Sequence, residues 1–131
     1  MTEFLFPNIP MPERQSKPRK RGLTMMIDWG LPLGLQKDCL DAQGIYVDEA
    51  KIAASIPRVM PKTYLKKKMD AYREHEIFAF PGGLFTELAI AQGNYDVFLK
   101  DAKEAGFSGI EVSDNLLKID PRKKKAAISR A

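Results

Sequence analysis

Four places in the sequence carry groups of the kinds that hold or activate an anionic molecule: Asp28, Lys51, the Gly82-Gly83 pair, and Glu111 with Ser113 and Asp114. Lys51 sits inside the otherwise apolar stretch Ala50-Lys51-Ile52-Ala53-Ala54. An ammonium there must meet an anion or a carboxylate, because leaving it unpaired away from water is costly. Adjacent glycines let backbone N–H groups approach an anion, and a helix after them adds a favourable dipole. Glu111 and Ser113 share parity along an extended segment, so their side chains take one side and Val112 the other. Glu111 and Asp114 offer the oxygen ligands that Mg²⁺ prefers, usually with several waters retained. Asp28 reads either as a member of this group or as the start of a turn.

These positions gain meaning from the elements that carry them. Leu23 to Ile27 is a short apolar run read as a buried strand, ended by Asp28 and the loop Gly30-Leu31-Pro32-Leu33-Gly34. Leu35 to Ala42 reads as a short helix and Tyr46 to Ile52 as a second strand. Pro61 starts a helix to about His75, with Tyr64, Leu65, Lys68, Met69 and Tyr72 near one face and Lys66, Lys67 and Arg73 toward water. A third strand, Ile77 to Phe80, stops at Pro81-Gly82-Gly83. Helices over Leu84 to Ala91 and Tyr95 to Ala105 follow, the second capped by Gly106. Gly109 to Ser113 reads as a fourth strand, and Asp120-Pro121 opens a basic helix with Asp as its cap.

Short apolar strands alternating with helices imply an α/β fold with a parallel sheet, and the strand-end positions above are where βα loops converge. No G-x-G-x-x-G follows the first strand, which argues against a dinucleotide-binding open sheet. A complete TIM (β/α)8 barrel takes about 250 residues. At 131 residues this chain supplies about four βα units, the N-terminal half of such a barrel.

Composition sets the remaining bounds. Hydrophobic residues make up 44% and charged residues 29%, as in a globular protein, with no apolar stretch long enough to span a bilayer. Residues 1–21 are rich in proline and charge and read as an extended arm, which Phe4, Leu5, Phe6 and Ile9 could pin to the body; residues 22–131 form the domain. The net charge of +4 gathers in two runs, at Lys17 to Arg21 and at Arg122 to Lys125. Without interleaved aromatics or a nucleic-acid-binding motif, these runs read as solvated flanks rather than a nucleic-acid surface. The single cysteine, Cys39, fits a small helix residue in a reducing cytoplasm. His75, the one histidine, reads as a solvated helix end, and Trp29 stands where it could wall the site.

Several separated segments together resemble the phosphosulfolactate synthase family: Arg21 to Asp28, Phe80-Pro81-Gly82-Gly83, Ala91-Gln92-Gly93, Gly106-Phe107 and Glu111-Val112-Ser113-Asp114. Pro57-Arg58-Val59-Met60-Pro61 looks most like the bacterial members. The resemblance implies a (β/α)8 barrel and a lyase-type, Mg²⁺-dependent addition of sulfite to phosphoenolpyruvate, the step that in archaea leads toward coenzyme M. It implies for Lys51 a contact to the substrate's carboxylate or phosphate, or proton donation. Glu111 and Asp114, with Asp28 as a further candidate, would hold Mg²⁺. Asp28, Gly82, Gly83 and Ser113 would shape or contact the bound substrate, and Glu87 matches an acidic position of the following helix. The family also includes stress-associated plant proteins, so a non-catalytic interaction role is the alternative. Two departures bear on the substrate: Ala53 to Pro57 replaces a glycine-rich loop, and Ser113-Asp114-Asn115 replaces Ser-Asp-Gly. Four βα units also leave open sheet edges, which favour pairing with another copy.

Overall fold

The computed structural model describes residues 5–131. At its centre lie three parallel strands in the order β1-β2-β3: β1 (Met25–Asp28), β2 (Glu49–Ile52) and β3 (Phe78–Pro81). Between and after them run α1 (Leu33–Gln43), α2 (Ile56–Val59), α3 (Lys62–Glu74), α4 (Gly83–Ala91), α5 (Tyr95–Ala105) and α6 (Pro121–Ile128). The register aligns Met26, Ala50 and Ala79 in one row and Ile27, Lys51 and Phe80 in the next.

Strand alternation divides the sheet into two unlike faces. Ala50, Ile52 and Ala79 pack against Leu40 of α1 and Leu65, Met69 and Tyr72 of α3, forming one core. A second core joins Ala89, Tyr95, Phe98 and Ala127, with Ile110 and Val112 packed against it. On the opposite sheet face Met25, Ile27 and Phe78 remain 46–48% exposed beside half-buried Lys51. Parallel sheets normally bury both faces, so among the described residues this face lacks a cover.

Helix limits follow the local chemistry. The Asp120 side chain accepts from the Arg122 and Lys123 amides and Pro121 fills the first turn, as expected for a capped start. Gly106 ends α5 with a left-handed φ of 94°, which a residue with a side chain adopts at a cost.

The fourth strand does not form. From Phe107 to Asp114 the chain runs beside β3, yet a single backbone bond joins them, Ser108 N–H to Ala79 O at 2.8 Å. The Phe78 ring lies against Gly109, only 2.6 Å from where a Cβ there would stand. Beyond that point side chains take over the anchoring. The second strand is also shorter than expected: Gly44–Tyr46 forms a 3-10 turn, and pairing begins at Glu49.

Two residues of the basic run before β1, Lys17 and Arg19, are spent on the protein, while Lys20 and Arg21 stay exposed. Arg19 and Arg14 donate to the Asp48 carboxylate at 2.7 and 3.1 Å, and Lys17 donates to the carbonyls of Gly44 and His75 at 2.8 and 2.7 Å. The arm is therefore stitched across the N-terminal ends of the strands by cations. Leu5, Phe6 and Ile9, expected to pin it, are 66–85% exposed, and Phe4 lies outside the described residues. Cys39 is exposed on α1.

Sheet and helices are also tied by a polar network. Lys68 of α3 and Asp28 of β1 are both fully buried and meet at 2.8 Å. All three ammonium hydrogens are used, the others going to Leu31 O at 2.6 Å and Gln36 Oε1 at 2.8 Å. Asp28 also accepts from Tyr72 Oη and from the Gly30 and Leu31 amides, each at 2.7 Å. Breaking a buried pair from one side leaves an uncompensated charge. Lys68→Met should lower unfolding free energy in a denaturant melt by about 3–5 kcal/mol, and adding Asp28→Asn to it should cost less than the two separate losses combined. Strict additivity would show that the two residues do not act as a pair.

Candidate functional site

Lys51 reaches the C-terminal end of β2 on the open face, and its nearest partner comes from the Phe107–Asp114 segment. Lys51 Nζ lies 3.0 Å from Glu111 Oε1 and 2.8 Å from Oε2, with both side chains partly exposed, at 25% and 31%. The same carboxylate accepts from the Gly83 amide at 2.5 Å, the first amide of α4. An ammonium, a carboxylate and a helix N-terminus thus converge where three strands end, within reach of solvent.

In the β3–α4 turn, space rather than φ calls for glycine at Gly83 and leaves Gly82 tightly packed. A Cβ at Gly83 would stand 2.2 Å from Ser113 Oγ, and one at Gly82 would stand 3.1 Å from Ala54 N and 3.3 Å from Lys51 Cε. Gly82 N–H is already spent on Ile52 O at 2.8 Å. Of the pair, Gly83 alone aims its amide at the Lys51–Glu111 group.

The other expected site residues take structural partners. Asp28 is fully buried in the Lys68–Tyr72 network with its acceptor positions filled. Burial opposes its charge, but hydrogen bonds from Lys68, Tyr72 and the Leu31 amide hold its carboxyl below the usual range. Burial and the Asp28 carboxylate in turn push the Tyr72 hydroxyl up. Ser113 is buried and donates its hydroxyl to Glu87. Asp114, expected to share a cation with Glu111, turns instead to Lys124 of α6 at 2.9 Å.

Glu87 is the residue whose weight the sequence understated. It is fully buried on α4 and accepts from Ser113 Oγ and from the amides of Asn115, Leu116 and Leu117 at 2.8, 3.0 and 2.9 Å. It thereby fixes the loop that follows Glu111. Its signal was present as the single charge in the apolar run Leu84 to Ala91, a position that must be paired if that run is buried. Lys68 gave a similar sign, lying among Leu65, Met69 and Tyr72.

For a metal, the donor set is sparse. Among the described residues no three His, Cys, Asp or Glu side chains cluster in a group that could hold an ion. Mg²⁺ is commonly held by one or two carboxylates, with waters and substrate oxygens filling the other positions. Glu111, partly exposed beside the strand ends, fits that mode as the single protein ligand.

Burial would raise the Glu87 pKa, but the Ser113 hydroxyl and three amides outweigh it and pull it from the ordinary 4.5 down to about 2. The unfolded chain binds a proton here first, so the stabilisation is complete above about pH 4.5 and is lost as pH falls toward about 2. Acid-unfolding curves followed by circular dichroism should be less steep across that window for Glu87→Gln, which should also be less stable at pH 7 by about 2–4 kcal/mol. An unchanged acid limb would remove Glu87 from the account.

Comparison with known proteins agrees with this arrangement of segments. Residues 12–131 match the family model described as (2R)-phospho-3-sulfolactate synthase (ComA). The chain is 35% identical over 112 residues to phosphosulfolactate synthase of Methanocaldococcus jannaschii, which covers 86% of this chain and 45% of that protein. It is 29% identical over 122 residues to the phosphosulfolactate synthase of Bacillus subtilis, 93% of this chain and 48% of that protein. Protein HEAT-STRESS-ASSOCIATED 32 of Arabidopsis thaliana is 26% identical over 112 residues, 82% of this chain and 39% of that protein. The chain spans about half the length, or less, of these curated relatives. With the match running from residue 12 in the arm to residue 131, the chain belongs to the (2R)-phospho-3-sulfolactate synthase family.

Proposed function

We propose that this chain carries the Lys51 side of an active site of the phosphosulfolactate synthase type, built as the N-terminal half of a (β/α)8 barrel. The observation that supports it best is the Lys51 ammonium at a strand end, 2.8 Å from a carboxylate that also holds the first amide of α4. A cation and an aimed N–H are the groups that hold a carboxylate or phosphate.

In this reading the substrates are phosphoenolpyruvate and sulfite. Sulfite sulfur attacks the methylene carbon, the carbon–carbon double bond shifts its electrons toward the carboxylate, and the neighbouring C2 takes a proton. Lys51 holds the substrate's anionic end and, in the same reading, delivers that proton. Gly83 N–H fixes the orientation of the same group. A bound Mg²⁺, with Glu111 as its protein ligand, would offset the enolate-like charge that develops on the carboxylate. Ser113 and Glu87 act indirectly, holding the Glu111 segment against α4.

Incubation of the chain with phosphoenolpyruvate, sulfite and Mg²⁺, read by mass spectrometry, should give a product heavier by one sulfite. Lys51→Ala should lower its rate by about 10²-fold or more, in line with the loss of a positioned proton donor. Product formation at the full rate by Lys51→Ala would exclude this lysine from the chemistry.

A second reading, a non-catalytic interaction protein, draws on the bare sheet face with Met25, Ile27 and Phe78 about half exposed. Its occupant is a second copy of the chain, which would bring two open sheets together and bury both apolar faces. Light scattering after size-exclusion should then give twice the chain mass, and Phe78→Glu should shift it to the single mass. A wild-type chain that stays single at high concentration would refute this pairing.

A further inference from the structure

We propose that Glu111 is a built-in competitor for the anion site, holding Lys51 in the resting chain until a divalent cation draws the carboxylate aside. The inference deepens the reading of Lys51 as the anion's contact and rests on it.

Glu111 presents one carboxylate to both donors that would receive an anionic ligand. Lys51 Nζ lies 3.0 and 2.8 Å from its two oxygens, and Gly83 N–H points to Oε2 at 2.5 Å. Lys51 makes no other hydrogen bond or ion pair among the described residues, and Glu111 makes none beyond these two. The carboxylate therefore imitates the ligand. A phosphate group competes with the Glu111 carboxylate for these donors, and two anions side by side on one ammonium and one amide repel each other.

The pair is also built to open. At 25% and 31% exposure it is no buried bridge, and such pairs separate at little cost. It differs in this from the Asp28–Lys68 pair, which is fully buried with every donor and acceptor spent. Glu87 and Ser113 hold the backbone on the far side of Glu111, so opening needs only a rotation of the Glu111 side chain. A divalent cation changes the sign of the problem. Held by Glu111, it would turn a repelling carboxylate into an attracting site and would leave the Lys51 ammonium and the Gly83 N–H free for the anion. Anion and cation then bind with mutual reinforcement.

Titration of the chain with inorganic phosphate, followed by calorimetry with and without Mg²⁺, tests this directly. In the wild-type chain Mg²⁺ should tighten phosphate at least tenfold. Glu111→Gln should bind phosphate at least tenfold tighter than wild type without Mg²⁺ and gain nothing further from the metal. Glu111→Asp, whose shorter arm cannot span both donors, should lie between them and serves if the glutamine variant folds poorly. Unchanged or weaker phosphate binding in these variants, or an equal Mg²⁺ effect in wild type and Glu111→Gln, overturns the proposal, as does phosphate that binds none of them. Lys51→Met separates the two levels: undiminished phosphate binding in that variant defeats the anion-site reading itself, whereas lost binding with no Glu111 effect defeats the competition alone.

Discussion

The buried Asp28–Lys68 contact is the constraint around which the rest of the structure is arranged. Two charges with no exposure are tolerable only if every donor and acceptor is met, and here they are. The requirement fixes three elements at once. Asp28 ends β1 and, through the Gly30 and Leu31 amides, turns the chain toward α1. Lys68 and Tyr72 bring α3 down onto the sheet, and Gln36 ties α1 to α3 through Lys68 O at 3.0 Å. An apolar core of Ala50, Ile52 and Ala79 against Leu65 and Met69 would allow some sliding of helix over sheet; the saturated ion pair does not.

With that side of the sheet locked, strand alternation forces the remaining side chains to the other face. Lys51 follows Ala50 and precedes Ile52, both fully buried beneath the helices, so it must emerge opposite them. The same parity exposes Ile27 and Phe78. The open apolar face and the position of Lys51 are thus one geometric consequence, and whatever covers the face also encloses the lysine.

Much of this was legible in the sequence, and the errors have physical causes. The βα order, the caps at Asp120 and Gly106 and the position of Lys51 at a strand end came from local pattern, which short-range chemistry determines. The fourth strand was misread because a run such as Gly109 to Ser113 is identical in pattern to a paired strand; pairing also needs a ladder, and one bond to Ala79 does not make one. The partners of Asp28 and of Lys17 and Arg19 were not legible for a different reason. An acidic strand end and a basic run look the same whether their partners are water, ligand or protein. Here the partners lie 40 residues away for Asp28, at Lys68, and 29 away for Arg19, at Asp48, and no local pattern reports them.

Saturation separates the carboxylates that hold this molecule together from Glu111. Asp28 and Glu87 are both fully buried, each with four partners, and both are held in the charged form by those partners. A ligand could reach either only by breaking several charge-assisted bonds in a dry environment. Glu111 has two partners, stands partly in water, and leaves acceptor capacity unused. Its neighbour Lys51 likewise keeps donor capacity that Lys68 has exhausted. A rigid, fully satisfied frame thus holds the backbone, while the partly exposed Lys51–Glu111 pair beside it keeps donor and acceptor capacity unspent.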